Sequence, residues 1–356
     1  MLALVAAGFA VQTTQSASAI GFSTFNALHF EINYFDHGFV RRALVGTVFQ
    51  VVPDAWRTVA IIGFGWALVV ALALVVVWLL HALRARLPRD QCWLLAVLWI
   101  AAPFTFLNFG YDFARLDQLN LLLLALSLCL VYRGHGLALA LISATGLLIH
   151  EAYLFYGLAP VLAYAWVRYR AVPSSTSARV LFWPLVAALA TLSAIAFAGR
   201  YEAGRSSLVQ SLGSRLGDPN HNALNVWLRS GLDNPEYVIG RLGHGLFGTP
   251  ELLAIGGLVL GIVAALIGIS FANGRRPDVF VVSPLAVLPL FFFGIDYARW
   301  LGLIATLALT VVTTQVLEGR FAGLGVACPR VFYLLLVGVV LLGPLGSVHL
   351  LPLWLG

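Results

Sequence analysis

The chain contains no lysine: all 21 of its Lys/Arg positions are arginine, set against 15 acids. Charge of either sign is scarce. Asp, Glu, Lys and Arg make up only 10% of the 356 residues, where a soluble protein carries about a quarter. That shortage excludes a cytosolic enzyme, because most of the surface never meets water. Cysteine is nearly absent too, with three in all. Cys92 and Cys129 fall in apolar runs and Cys328 in a loop, without metal-ligand spacing or evident pairing, so a disulfide scaffold is excluded. What fills the chain instead is apolar: 61% hydrophobic residues and a mean hydropathy of +0.93. This is the composition of a polytopic, all-α membrane protein, expected to form one transmembrane domain over residues 1–356. The net charge of +6 is weak evidence for a nucleic-acid partner, and none is expected, because charge must first be divided between two membrane faces. A lysine-free chain rich in Ala, Leu, Val and Gly fits a GC-rich coding bias, and hence a bacterial source.

A bilayer core takes about twenty apolar residues per helix, fewer inside a bundle. The clear runs are 58–83, 180–198, 251–272, 279–295, 301–317 and 331–353. Shorter runs broken by polar motifs are 91–107, 118–132, 137–150 and 151–167. Residues 2–20 read as a further span with a polar, bundle-facing second half. The alternative is a cleaved signal ending at Ala17-Ser18-Ala19, although no positive residue precedes the apolar stretch. The expected total is about eleven spans.

Arginine asymmetry orients them. Arg84, Arg86, Arg89, Arg133, Arg168, Arg170, Arg179, Arg275, Arg276, Arg320 and Arg330 fall in loops that alternate along the chain, which places them in the cytoplasm of a bacterial inner membrane. The opposite, extracytoplasmic face then receives a first loop at 21–57, segments 108–117 and 294–300, the turn at His150-Glu151, and a long loop at 199–250. The long loop is polar and rich in Gly and Asn. It reads as a lid or collar, or else as a passive connection.

Four polar motifs gather on that outer face. The first runs from Glu31 through Asn33, Tyr34, Phe35, Asp36, His37 and Gly38 to Arg41 and Arg42. After it comes Ala43–Val52, an apolar stretch too short to span and expected to lie in the interface as a helix. Asp36 is either a helix cap or a functional carboxylate, since charge clusters at a membrane face cost solvation energy and usually mark function. The second and third motifs echo each other: Asp112-Phe113-Ala114-Arg115, with Asp117 just beyond, and Asp296-Tyr297-Ala298-Arg299. An Asp and an Arg three apart on a helix share a face and can pair. The fourth is His150-Glu151, either a satisfied buried pair or a hydrogen-bonding group for a substrate hydroxyl. A zinc motif is excluded there because the second histidine of His-Glu-x-x-His is absent.

Arginine forks suit phosphate oxygens. Carboxylates suit sugar hydroxyls, general-base work or a divalent ion such as Mg or Mn, and no dedicated metal ligands stand out. Neighbouring aromatics can stack on sugars or prenyl chains. Together the motifs describe a site for a phosphate-headed, hydroxyl-bearing substrate presented from the membrane.

With its acidic first-loop motif, the arginine-headed interfacial stretch and about eleven spans, the chain resembles the C-type glycosyltransferase superfamily and the related bacterial polysaccharide polymerases. The resemblance implies an inverting transfer from a polyprenyl-phosphate- or pyrophosphate-linked sugar or glycan to an acceptor hydroxyl at the outer face, in envelope polysaccharide or glycolipid synthesis. It places the catalytic base on Asp36, with Glu31 second. Arg41, Arg42, His37, Asp112, Arg115, Asp117, His150, Glu151, Asp296 and Arg299 become substrate- and phosphate-binding candidates. Membrane lipids and envelope-biosynthesis proteins are the implied partners. A lipid-linked oligosaccharide flippase or other secondary transporter is the alternative.

Overall fold

A helix satisfies its own backbone groups, which an apolar run in lipid must do, and the longest apolar runs of this chain fold that way. The structure is a computed structural model and describes residues 24–101, 105, 113–229 and 234–325. Among these residues there are helices and turns and no strand. Five helices are long and apolar enough to cross a membrane: Asp54–Leu83, Leu116–Arg133, Ser175–Ala198, Thr249–Ala272 and Tyr297–Leu317. They match five of the expected runs. Two further apolar segments, Gly136–Ile149 and Ser283–Phe293, are shorter. The expected spans at 2–20 and 331–353 lie outside the described residues.

The run at 279–295 departs from expectation. It holds a 3-10 turn at Ser283–Val287 and a four-residue helix at Leu290–Phe293 in place of one continuous helix. Pro284 and Pro289 explain the break, since each removes a backbone donor and opens a new first turn.

The chain divides into two compact units, one formed by residues 16–69 and 113–237 and the other by the remainder. In the first, three short helices lead into the long one: α1 (Thr24–Glu31), α2 (Tyr34–His37), α3 (Leu44–Phe49) and the start of α4 (Asp54–Leu83). Asn33 caps α2 by accepting from the Asp36 N–H at 2.8 Å. Between α2 and α3 the chain turns on Gly38, whose φ of +69° suits a residue without Cβ. α3 lies against α1, and a 2.8 Å bond from the Tyr34 N–H at the start of α2 to the Thr47 hydroxyl ties it to α2 as well.

The same unit contains α6 (Leu116–Arg133), α7 (Gly136–Ile149), α8 (Ala159–Ala171) and α9 (Ser175–Ala198); the label α5 is given to Arg89–Ala101 of the other unit. Gly134 ends α6 in a left-handed cap, and a Ser174–Ser177 capping box opens α9. α7 packs along α9 and against α6. Before α8 the helix widens to a π turn at Leu154–Leu158. Here the fully buried Tyr153 ring sits between Gly146 and Gly157, where any added Cβ would fall 2.6 and 1.9 Å from ring carbons.

The stretch from Gly199 to Arg229 is packed and not merely connecting. Leu208 and Leu212 of α10 (Gly204–Leu212), with Leu216, Leu224 and Trp227, form one hydrophobic cluster with Leu28, Ile32, Val40 and Ala43. The long loop and the first loop therefore share a core.

In the second unit, α12 (Tyr297–Leu317) packs against both α11 (Thr249–Ala272) and α5. α12 is enclosed over 83% of its most apolar window and α11 over 11%, so α12 is the central helix and α11 presents its apolar surface outward. Trp99 of α5 donates to the Thr313 hydroxyl of α12 at 3.3 Å, both groups buried.

Candidate functional site

Arg42 and Glu151 form the centre of the first unit's polar cluster. The guanidinium donates through Nε at 2.8 Å and Nη2 at 2.5 Å to the two carboxylate oxygens, a fork-to-fork geometry. Arg42 comes from the turn before α3, and Glu151 from the turn between α7 and the π segment. Arg42 holds a φ of +60°, one of two non-glycine residues in the left-handed region among the described residues. Such backbone costs about 1–2 kcal/mol and persists where surrounding contacts over-determine it. The other is Ala114, at +59°, immediately before Arg115.

Further groups converge on this pair. Arg41 Nη1 lies 3.8 Å from Glu151, as does His150 Nδ1. Arg41 is fixed from the other side by the long loop, donating to the Val226 carbonyl and, at 2.8 Å, to the Arg229 carbonyl. Asp117, in the first turn of α6, accepts a 2.8 Å bond from the Tyr156 hydroxyl and sits 3.7 Å from Arg115 Nε. Asn120 donates to the same Tyr156 oxygen at 3.0 Å. Asp117 and Tyr156 add to the electrostatic hold on Arg42. Burial alone would raise the Glu151 carboxyl, but Arg42, with smaller pulls from His150 and Arg41, outweighs it and holds the group well below the usual carboxylate range.

His29 belongs to the same neighbourhood. Its Nδ1 is 2.8 Å from the Phe25 carbonyl, which can only accept, so Nδ1 carries the proton and Nε2 is the bare acceptor. Burial first, then the nearby Arg42 guanidinium, push it from 6.5 to about 3. The imidazole stays neutral in the fold while the unfolded chain takes a proton below pH 6.5. Stability is therefore full above that value and falls with pH toward 3, reaching a loss of about 2 kcal/mol at pH 5. The thermal midpoint of the wild type is expected to drop between pH 7.5 and 5. His29→Asn, which keeps the donor to Phe25 without a titrating ring, should flatten that slope; an unchanged slope would assign the loss elsewhere.

The other first-loop candidates are placed differently. Glu31 Oε2 accepts from Arg57 at 3.0 Å and from Arg215 at 2.7 Å, and Arg57 also pairs with Asp54 at 2.7 Å. Glu31 thus ties α1 to the start of α4 and to the long loop. Asp36 is exposed, and its Oδ2 accepts from Asn33 Nδ2 at 2.8 Å. His37 is buried, with Nδ1 on the Asn33 backbone and Nε2 3.0 Å from the Ser211 hydroxyl. Burial lowers its imidazole from the ordinary value.

The two echoing motifs have different backbones. Asp296 pairs with Arg299 at 2.9 Å across the first turn of α12, and Arg299 lies 3.9 Å from the Trp300 ring. This pair belongs to the second unit. In the earlier copy, Phe113 and Ala114 form a non-helical turn and Arg115 is extended before α6. Asp112 lies outside the described residues.

The structure thus brings Arg41, Arg42, Arg115, Asp117, His150 and Glu151 together and adds His29, Asn120 and Tyr156, which sequence reasoning missed. Asn120 carried a readable signal: it lies three residues after Asp117 at the head of a long apolar run, so both share one helix face. His29 carried none. Among the described residues no group of three or more His, Cys, Asp or Glu side chains could hold a metal ion. Fold and site define an all-helical protein with candidate membrane-spanning helices and a half-buried arginine–carboxylate–histidine cluster. No protein family, curated protein or solved structure matches the chain.

Proposed function

We propose that the chain is a bacterial inner-membrane glycosyltransferase or polysaccharide polymerase. It transfers a sugar or glycan, with inversion, from a polyprenyl-phosphate or -pyrophosphate donor to an acceptor hydroxyl at the extracytoplasmic face. About eleven spans carry it, with α3 as an interfacial element and the 199–250 loop as a collar. The observation that carries the reading is the gathering of Arg41, Arg42 and Arg115 with Glu151, Asp117, His29 and His150. Guanidinium forks in a partly dry setting suit a departing phosphate as charge builds on it. Fixed acceptors beside them suit sugar hydroxyls.

The base is Asp36, which removes the acceptor's proton as the hydroxyl attacks the anomeric carbon. Its exposed carboxylate, oriented by Asn33 alone, supports this choice over Glu31, whose Oε2 is occupied by two guanidinia. A general base contributes about 10²–10⁴-fold. Asp36→Asn, checked for expression and membrane insertion, is expected to lose at least about a hundredfold in glycan formation from a polyprenyl-linked donor. Wild-type elongation by this variant would sink the mechanism. A flippase reading draws support from the π turn and the buried Asp117–Tyr156–Asn120 chain. It is separated by the same variant: translocation of a lipid-linked glycan with no glycosidic bond formed, in wild type and Asp36→Asn alike, marks the transporter.

A further inference from the structure

The second unit holds a cavity of about 290 Å³ where the loops after α11 and α12 meet, lined by Gly274, Arg275, Arg276, Asp278, Gln315 and Arg320 among others. Positive-inside bias accounts for arginines in such loops, but it does not account for how these are arranged. The loop backbone is built first. Asn273 accepts from the Ala322 and Gly323 N–H groups at 2.6 and 3.2 Å and donates to the Gly323 carbonyl at 2.8 Å, clamping one loop to the other. Asp278 Oδ1 accepts from the Phe280 and Val281 N–H groups at 3.0 Å each. Arg275 spends only its Nε, on the Arg320 carbonyl at 2.8 Å.

What remains is a surplus of donors. The terminal nitrogens of Arg275 and the whole Arg276 guanidinium make no hydrogen bond or ion pair among the described residues, and both side chains are exposed. Arg320 is 3.6 Å from Asp278 and 3.1 Å from Glu318. Three guanidinia therefore face one lining carboxylate, and cations stay in excess even with Glu318 included. The independent sign is Gln315. It lines the cavity, is 2% exposed, and its Oε1 is buried without a hydrogen-bond partner. A dry, unsatisfied amide costs free energy unless something completes it.

We propose that this cavity binds a phosphate ester, with Arg275, Arg276 and Arg320 taking the phosphate oxygens and the Gln315 amide taking a hydroxyl or ammonium group beside the phosphate. A phospholipid headgroup and a small soluble phosphate ester share that chemistry. The site is separate in residues and in unit from the cluster around Glu151.

The test uses the full chain in nanodiscs and reads the thermal unfolding midpoint, which rises when a ligand binds the native state. One arm titrates glycerol 3-phosphate in phosphatidylcholine discs; the other raises the fraction of phosphatidylglycerol. A saturable rise in either arm is expected, and the arm that shows it identifies the source. R275A/R276A changes only exposed side chains and should weaken binding at least tenfold, by loss of two charge-assisted contacts. Gln315→Met, similar in shape, should weaken it severalfold while leaving the unliganded midpoint unchanged or higher. R170A/R179A removes the same charge from exposed positions elsewhere and should change affinity less than twofold. No saturable rise in either arm would overturn the proposal. So would undiminished binding in R275A/R276A, or an equal loss in R170A/R179A, which would make the effect bulk surface charge.

Discussion

Arg42→Met is expected to destabilise the protein by about 3 kcal/mol and abolish activity, whereas R42M/E151M should regain most of the stability and none of the activity. Removing one partner of a buried pair leaves the other charge uncompensated, at about 3–5 kcal/mol, while an apolar pair of similar volume is often neutral. The lower end applies because Glu151's side chain keeps 25% of its exposure and Arg42's 16%. Glu151→Gln alone should behave like Arg42→Met, stranding a guanidinium. The contrast between single and double variants separates the two roles. If the pair only anchors the first loop to the α7 turn, the apolar double variant will be both stable and active. If it presents a guanidinium to a phosphate, stability returns without turnover. Acid should affect the pair in a defined direction. Because the folded Glu151 carboxyl lies well below its ordinary 4.5, its contribution is complete above that value and is lost as pH falls below it. In R42M/E151M that low-pH loss should disappear, leaving the milder slope set by His29.

The parts of this fold that were readable from sequence are those governed by one local rule. Run length and hydropathy marked α4, α6, α9, α11 and α12 because a long apolar helix needs no partner to satisfy its backbone. The same rule misread 279–295, where hydropathy stays high but two prolines divide the run. The Asp-aromatic-Ala-Arg motif keeps its pairing at Asp296–Arg299, but its two copies differ in backbone. Its letters set a helical pairing only if the backbone is helical, and at Ala114 the chain turns left-handed instead. The site was readable in its charged members, since an arginine or carboxylate stands out where charge is rare. Its closing contacts were not. That Arg42 chooses Glu151, 109 residues away, and that Glu31 is taken by Arg57 and Arg215, are decided by packing. The long loop shows the same limit. Leu208, Leu212 and Leu216 recur every four residues and do predict an apolar stripe, but nothing local says that it covers Leu28 and Ile32.

That covering depends on one glycine, and Gly46→Ala should be the most disruptive single-methyl change in the first unit. A Cβ at Gly46 would stand 1.9 Å from the Ile32 carbonyl oxygen and 2.8 Å from its carbon. Both are backbone atoms, which cannot rotate aside as a side chain can. α3 would have to leave α1, breaking the Tyr34–Thr47 bond at 2.8 Å and opening the core around Ile32, which is fully buried. Overpacking typically costs about 1–3 kcal/mol; here a lost hydrogen bond of about 1 kcal/mol adds to it, for an expected loss of about 2–4 kcal/mol. The functional cost follows from connectivity, because Arg41 and Arg42 lie on the turn that α3 holds in place. Gly63 is the control. It lies inside α4 with nothing within 4 Å of an added Cβ, and alanine is favoured over glycine in a helix by about 1 kcal/mol. Gly63→Ala should therefore leave the unfolding midpoint unchanged or higher and keep full activity. If Gly46→Ala tracked Gly63→Ala in folding yield and midpoint, α1 and α3 would not be in backbone contact, and the placement of Arg42 against Glu151 would fall with that contact.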